Sequence, residues 1–210
     1  MLSKIFDQKI TTFPGSRPSH AVQGRSVQHG YAMTYQTSGQ RAFLFMTPVG
    51  NWLWNDEKVE TIHTLETRDQ TYIFDVEVTK DHIYISDVLV YDGLSIASRD
   101  HLERKEAARK WAHLYLGSKT QDRVCADTRS FKSAYPDYII HLGNGMSISV
   151  KNTYPPVCRQ HIWDNRPTCA TGLLFVKLLD TYRTYKSRGT LVWVPQATKK
   201  KRKRTRKEKI

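Results

Sequence analysis

The residues best suited to chemistry are basic side chains interleaved with tyrosines near the C-terminal end of the chain. Lys177 follows an apolar segment, and Arg183, Lys186 and Arg188 lie in the stretch DTYRTYKSRG that comes soon after it. Lysine and arginine bind phosphate oxygens, and aromatic rings stack on nucleobases. The pattern therefore predicts contacts with nucleic acid, and a solvated basic loop is the alternative that these residues leave open.

A second basic cluster closes the chain. Nine lysines and arginines against one glutamate give residues 199–210 eight of the thirteen net positive charges. A run of like charge cannot form a core, so we expect a disordered tail that serves as an RNA-binding arm or as a signal for an import receptor. The residues expected to bind nucleic acid here are Lys199, Lys200, Lys201, Arg202, Lys203 and Arg204.

Other chemistries have no support in the sequence. The three cysteines form no CxxC pair, and the histidines show no metal-ligand spacing, so no metal site and no cofactor are predicted. An odd cysteine count without a disulfide pattern suits a reducing compartment. No apolar run reaches the length of a signal peptide or a membrane span, so we expect a soluble protein with no membrane partner.

Short β-branched and aromatic segments separated by turn residues predict a series of strands from Tyr31 onwards. TYIFDVEV and HIYISDVLVY are expected to pair as a hairpin, and DYIIHL, MSISVKN, GLLFVKLL and TLVWVP are expected to form further strands. Trp52 and Trp54 should lie on the same face of their strand, because side-chain direction repeats every second residue. The expected class is α+β, with mainly antiparallel β-sheets and few helices.

One long helix is expected within residues 98–117. Asp100 and Glu103 have the spacing of a capping box, and Leu102 and Ala108 belong to an apolar set at helical spacing. The lysines and arginines of this segment are expected on its solvated face. The chain thus divides into an irregular lead-in (1–28), one domain (29–198) and the polybasic tail (199–210).

Four segments, in their order, resemble the motifs of the covalent nucleotidyltransferase superfamily, which contains mRNA capping guanylyltransferases and ATP-dependent ligases. They are YQTSGQRAFLF, TYIFDVEVTKDHIYISDVLVYDG, ATGLLFVKLL and TLVWVP, and the resemblance covers residues 31–196. It implies a nucleotidyltransferase (guanylyltransferase/ligase-like) domain without the OB-fold domain of the capping enzymes. In that family a lysine in Lys-x-Asp-Gly attacks the α-phosphate of a nucleoside triphosphate and carries the nucleotide as a phosphoramidate.

Five positions that carry catalytic charge in the family are neutral in this chain. An amide nitrogen is not a usable nucleophile, so glutamine at the lysine position implies a catalytically inactive member, a pseudoenzyme. The degenerate positions are Gln36, Ser38, Thr171, Val192 and Val194. Positions of the scaffold and of the pocket wall are retained, among them Gly39, Arg41, Glu77, Gly172, Phe175, Trp193 and Pro195.

This combination is similar to the cap-binding domain of snurportin, which has the guanylyltransferase fold without its lysine. The resemblance implies a nucleotide site in which Arg41 contacts sugar or phosphate and Trp193 stacks on the base, with Glu77 as a third candidate. A core position is the alternative for Trp193. A metal-ligand role for Glu77 is disfavoured because neighbouring family carboxylates are missing.

Three functions follow. The first is an inactive, nuclear or nucleocytoplasmic module that binds a guanine nucleotide or an RNA, in particular a capped RNA end. The second is an active capping guanylyltransferase or polynucleotide ligase that uses a displaced lysine, Lys177 or Lys151. The third is a non-catalytic subunit that docks a partner protein.

Overall fold

The computed structural model describes residues 20–21, 30–55, 58–65, 67, 69–116, 139–142, 145–182 and 191–193. Several sequence predictions lie outside these residues. They are the predictions for Arg183, Lys186, Arg188, Val194 and the tail 199–210. Of the lead-in 1–28, the structure describes only residues 20–21, which form a short strand.

The described residues form twelve strands and two α-helices. The strands are β1 (His20–Ala21), β2 (Tyr31–Thr37), β3 (Gln40–Thr47), β4 (Gly50–Trp54), β5 (Val59–Thr61), β6 (Tyr72–Val78), β7 (His82–Tyr91), β8 (Leu94–Ser95), β9 (Ile139–His141), β10 (Ser147–Val150), β11 (Ala170–Lys177) and β12 (Leu191–Trp193). The helices are α1 (His101–Leu116) and α2 (Arg159–Asp164), and a 3-10 turn (Pro156–Cys158) precedes α2.

The strands make two sheets. The larger has eight strands in the order β5-β4-β3-β6-β7-β10-β9, with β8 paired to β7, and the smaller has the order β1-β12-β11-β2. Only the pairs β7–β10 and β1–β12 are parallel among the described pairings. The predicted α+β class with mainly antiparallel sheets and few helices is therefore confirmed.

Local sequence signals explain the hairpins. β6 and β7 pair antiparallel, as the alternating segments TYIFDVEV and HIYISDVLVY predict. The turn from β7 to β8 uses Asp92 and Gly93, whose φ angles are 53° and 78°. Two consecutive left-handed residues are what a tight two-residue hairpin turn requires, and Asp-Gly adopts them most easily.

Helix α1 begins where its cap predicts. The Asp100 carboxylate accepts a hydrogen bond from the Glu103 amide at 2.9 Å, which satisfies one free amide of the first turn. The expected orientation of the helix needs correction, because Leu102 is exposed and Arg104 and Lys105 are buried. Their partners lie on distant strands, which helical spacing alone cannot reveal.

The main core lies between α1 and one face of the larger sheet. Leu44, Phe74, Ile85 and Trp111 are among its buried residues, and the rings of Phe74 and Trp111 are 4.7 Å apart. A smaller core covers one face of the smaller sheet, where α2 packs through Ile162. The other face of the larger sheet carries a third apolar cluster, which includes Phe43, Ile73 and Leu89, and beside it the polar groups described below. No helix in the described part of the chain is long and apolar enough to cross a membrane.

Candidate functional site

The turn from β2 to β3 passes from the smaller sheet to the larger one and carries the degenerate first motif. A Cβ atom on Gly39 would lie 2.8 Å from the carbonyl oxygen of Val78, closer than real Cβ atoms come to backbone. Only glycine lets the turn approach β6 so closely. The close approach places residues 36–38 next to the polar end of β6.

Glu77 on β6 is the acceptor at the centre of this region. Its carboxylate accepts hydrogen bonds from the Thr37 amide at 3.1 Å and from the Thr37 hydroxyl. It also forms an ion pair with Lys151, whose Nζ is 2.5 Å from Oε2. The glutamate that the sequence placed in the nucleotide site is therefore an internal anchor for the β2–β3 turn, and its ligand role stays a prediction.

Lys151, one of the two displaced lysines considered from the sequence, lies beside this turn. It follows β10, its side chain is 3% exposed, and its ammonium group also donates to the Tyr35 carbonyl at 3.0 Å. The ammonium group thus contacts the backbone one residue before Gln36, and Glu77 contacts the backbone one residue after it. A lysine from another strand therefore lies beside the position of the missing one.

The phenol of Tyr84 lies under the same lysine, with the Lys151 Nζ 5.9 Å from the ring centroid. Burial raises the pKa of Tyr84, and a 3.4 Å contact between its hydroxyl and the Cys169 sulfur raises it further. His82 stacks on the same ring with centroids 4.1 Å apart. Tyr84 therefore stays protonated at neutral pH and cannot act there as a base.

Strand register brings the other degenerate positions together. Gln36 pairs with Gly172, and Leu174, two residues further along β11, pairs with Val192. Directly paired residues of antiparallel strands share a face, so Gln36 and Val192 lie on the same face of the smaller sheet. The Thr171 hydroxyl donates to the Gln36 carbonyl at 3.3 Å. These three degenerate positions therefore lie near one another and their side chains carry no charge, and a nucleotide site over them stays a prediction.

Ser38 is the fourth described degenerate position. It is exposed in the turn, and its amide donates to the Cys169 carbonyl at 2.9 Å. The bond ties the first motif to the residues that lead into β11. Ser38 thus belongs to the same cluster by position.

Arg41 lies on the same face of the larger sheet as Glu77, with which it pairs across β3 and β6. Its guanidinium group binds Asp75 through two hydrogen bonds of 3.0 and 2.8 Å, and it donates to the Tyr182 hydroxyl at 2.7 Å. Tyr182 in turn donates to Asp75 at 2.7 Å. Since the side chains of Arg41 and Asp75 are 9% and 1% exposed, the arginine is held by an internal ion pair, and its ligand role stays a prediction.

Asp75 and Tyr182 were not among the sequence candidates. Asp75 precedes Glu77 by two residues on a strand, so both must lie on one face. The spacing of two residues could therefore have predicted that Asp75 lies beside Glu77. Tyr182 follows β11 and lies 107 positions after Asp75 in the sequence, so no local pattern could predict that the two side chains meet.

The pairing of β12 with β11 places Trp193 and Gln36 on opposite faces of the smaller sheet. Trp193 pairs with Leu173, which places it on the face opposite to Gln36 and Val192. It packs there beside Tyr35 and meets Trp163 edge to face, with ring centroids 5.7 Å apart. Trp193 is therefore outside a pocket built over Gln36, and a stacking role for it concerns a different surface.

Lys177 is also remote from the cluster. It pairs with Tyr31, at the opposite end of the β2–β11 ladder from the Gln36–Gly172 pair. Five residues of strand separate Gly172 from Lys177, or roughly 17 Å. Of the two displaced lysines considered from sequence, the structure places only Lys151 at the degenerate site.

A buried network of charged side chains, formed by Asp87, Arg104 and His101, lies next to the segment that leads to Tyr182. Arg104 binds Asp87 through bonds of 2.9 and 3.0 Å and donates to the Asp180 carbonyl at 3.1 Å. Burial raises the pKa of Asp87, but the charges of Arg104 and His101 outweigh it and hold the pKa well below its usual range. Burial lowers the pKa of His101. The network fixes the segment that leads to Tyr182.

Two further features concern ligands. Within the described ranges, no group of three histidine, cysteine, aspartate or glutamate side chains is placed to hold a metal ion. Trp52 and Trp54, paired with Phe45 and Phe43, do share a face, as alternation predicts. Both tryptophans line an apolar surface groove of about 340 Å³ together with Phe45 and Val59.

Comparison with solved structures identifies the fold. A mycobacterial DNA ligase D complexed with ATP and MES superposes with a TM-score of 0.54 at 12% sequence identity, over 85% of this chain and 60% of that one. The chain has a ligase-like nucleotidyltransferase fold. A Lig E DNA ligase gives a TM-score of 0.46 at 10% identity, over 87% of this chain and 68% of that one. The chain spans about 60% of the length of the ligase D chain. No protein-family model matches the sequence, and no curated protein sequence matches it.

Proposed function

We propose that this chain is a catalytically inactive nucleotidyltransferase-like module that binds a guanine nucleotide or a capped RNA end. The observation that carries the proposal is the cluster of Gln36, Thr171 and Val192. These residues share one site, yet none of them supplies the nucleophile or the charges that nucleotide transfer needs. The ligase D structure that shares this fold was solved in complex with ATP, which supports a nucleotide as ligand.

The ligand would bind above residues 36–38, at the edge where the two sheets meet. Glu77 and Thr37 fix the turn that forms its floor, and the Lys151–Glu77 ion pair holds this turn from below. The proposal includes RNA as a ligand and a nuclear location. It also includes an import receptor that binds residues 199–210 and a protein partner.

Titration of the chain with GTP, a methylated guanosine triphosphate and a dinucleotide cap analogue tests the proposal. Gln36→Glu adds a negative charge at the half-buried centre of the site and should weaken triphosphate binding at least about tenfold. Gln70→Glu makes the same charge change on an exposed loop and is the matched control. Absence of binding by the wild type, or equal losses in the two variants, would contradict the proposal.

The position of Lys151 favours a second candidate, an active nucleotidyltransferase. In this reaction Lys151 would leave its ion pair and give a proton to Glu77. Its Nζ would then attack the α-phosphate of a nucleoside triphosphate, forming a nitrogen–phosphorus bond as the bond to pyrophosphate breaks, and the second proton of the amine would leave with pyrophosphate. The structure gives Lys177 no comparable place.

Incubation with α-labelled GTP or ATP and magnesium, followed by denaturing electrophoresis, separates the two candidates. The inactive module gives no covalent label. A label on the wild type that disappears in Lys151→Arg, which keeps the charge and removes the nucleophile, would establish the second candidate.

A further inference from the structure

Two tryptophans and two arginines form a ladder at the border of the small core, where α2 meets strand β12 of the smaller sheet. The guanidinium group of Arg166 lies 3.9 Å from the ring centroid of Trp163, and that of Arg159 lies 5.2 Å from the ring of Trp193. The two rings meet edge to face at 5.7 Å. We call these four residues the Arg–Trp ladder.

The ladder is a built feature and not a chance contact of surface side chains. Ile162 is buried in the small core and anchors α2, which orients Trp163 towards β12. The Arg166 guanidinium also donates to the Trp163 carbonyl at 2.9 Å, which holds it over the ring. Both rings keep part of their surface in water, and Arg166 is exposed.

The ladder is distinct from the degenerate site. Trp193 lies on the face of β12 opposite to Val192, which shares the face of Gln36. Side chains of adjacent strand residues point to opposite faces, so one strand contributes to both surfaces. A ligand bound over Gln36 therefore cannot stack on Trp193.

We propose that the Arg–Trp ladder binds single-stranded RNA through its bases and backbone, independently of a cap. Guanidinium planes stacked on partly exposed tryptophan rings are platforms for unpaired bases, and arginine binds phosphate at the same time.

Charge complementarity selects this ligand over a protein partner. The chain has a net charge of +13, and two cations, Arg159 and Arg166, lie over the two rings. Arg166 makes no ion pair with any residue in the described ranges, which leaves its charge for an anionic ligand.

Fluorescence anisotropy of the full chain with a labelled, uncapped RNA oligonucleotide tests the inference. The double variant Arg159→Ala/Arg166→Ala should bind at least about fivefold more weakly, and its log–log salt slope should be shallower by about 1.4, since each phosphate contact on a single strand contributes about 0.7. Arg109→Ala/Lys110→Ala on α1 removes the same charge elsewhere on the surface and should leave affinity and slope close to wild type.

A stacking variant separates the rings from the charges. Trp163→Leu should weaken RNA binding about fivefold or more, whereas Trp163→Phe, which keeps an aromatic face, should retain most of the affinity. A melting curve accompanies each variant, and the arginine pair keeps the test decisive if Trp163→Leu unfolds. Unchanged RNA affinity in the arginine variant, or equal losses in the α1 control, would overturn the inference. Cap-analogue binding at the Gln36 site is unaffected by these variants, so either proposal can fail without the other.

Discussion

Removing one partner of the Lys151–Glu77 pair should destabilise the fold far more than removing an exposed pair. The two side chains are 3% and 12% exposed, and the lysine also satisfies the Tyr35 carbonyl. Breaking a buried ion pair from one side costs about 3–5 kcal/mol, because the remaining charge stays buried without its partner. For a chain of this length that loss corresponds to a decrease in Tm of roughly 6–20 °C.

Urea unfolding of Lys151→Met measures this loss directly. The control is Lys58→Met, which removes a lysine from an ion pair with Glu60 whose side chains are 55% and 51% exposed. Exposed pairs contribute at most about 1 kcal/mol, so the control should unfold close to the wild-type midpoint.

The double variant Lys151→Met/Glu77→Gln decides whether the charge pair is the cause. Replacing both charges leaves no buried ion, and the glutamine oxygen can still accept from Thr37, so much of the stability lost in Lys151→Met should return. If the two substitutions instead add, with a coupling energy near zero, the loss reflects packing around the lysine stem and the reasoning is refuted.

Three further predictions concern chemistry, RNA affinity and pH. Gln36→Lys alone should not restore nucleotide transfer, since the other degenerate positions stay neutral, and a covalent label on this variant would contradict that. Deleting residues 199–210 should leave the melting curve unchanged but weaken RNA binding and flatten its salt dependence, and an unchanged slope would show that the tail is an address signal only. Burial lowers the pKa of His101, so the unfolded chain gains its proton first and stability should fall as pH drops below about 6.5; Asp87, whose pKa is also lowered, adds a further loss below about pH 4. Urea midpoints between about pH 2 and pH 8 measure both effects, and a flat profile would contradict them.

Features set by neighbouring residues could be predicted from the sequence. The β6–β7 hairpin follows from alternation over two adjacent segments, and the start of α1 follows from the Asp100 cap three residues before Glu103. Alternation also placed Trp52 and Trp54 on one face correctly. In each case the determining interaction spans a few residues, which is the range over which sequence patterns carry information.

Features set by distant partners could not be predicted in the same way. The sequence predicts Arg104 and Lys105 on the solvated face of the helix, but both are buried. Arg104 is buried because its guanidinium group pairs with Asp87, which lies 17 positions earlier on β7. The Lys151–Glu77 pair spans 74 positions, and Trp193 acquires its face only through its register with β11. Long-range pairing decides which side of a sheet a residue faces, and a shift of one residue reverses it.

The two proposed binding surfaces make a joint prediction that neither makes alone. Val192 and Trp193 are consecutive residues on β12, so the degenerate site and the Arg–Trp ladder lie on the two faces of one sheet. A capped oligonucleotide long enough to pass around the sheet would bind both, and the second contact would be intramolecular and enhanced by effective concentration. Such an RNA should bind more tightly than a cap analogue, and Arg159→Ala/Arg166→Ala should remove that advantage while leaving cap-analogue affinity intact. If capped and uncapped oligonucleotides bind equally in the wild type, the cap contributes nothing and RNA recognition lies on the Arg–Trp ladder alone.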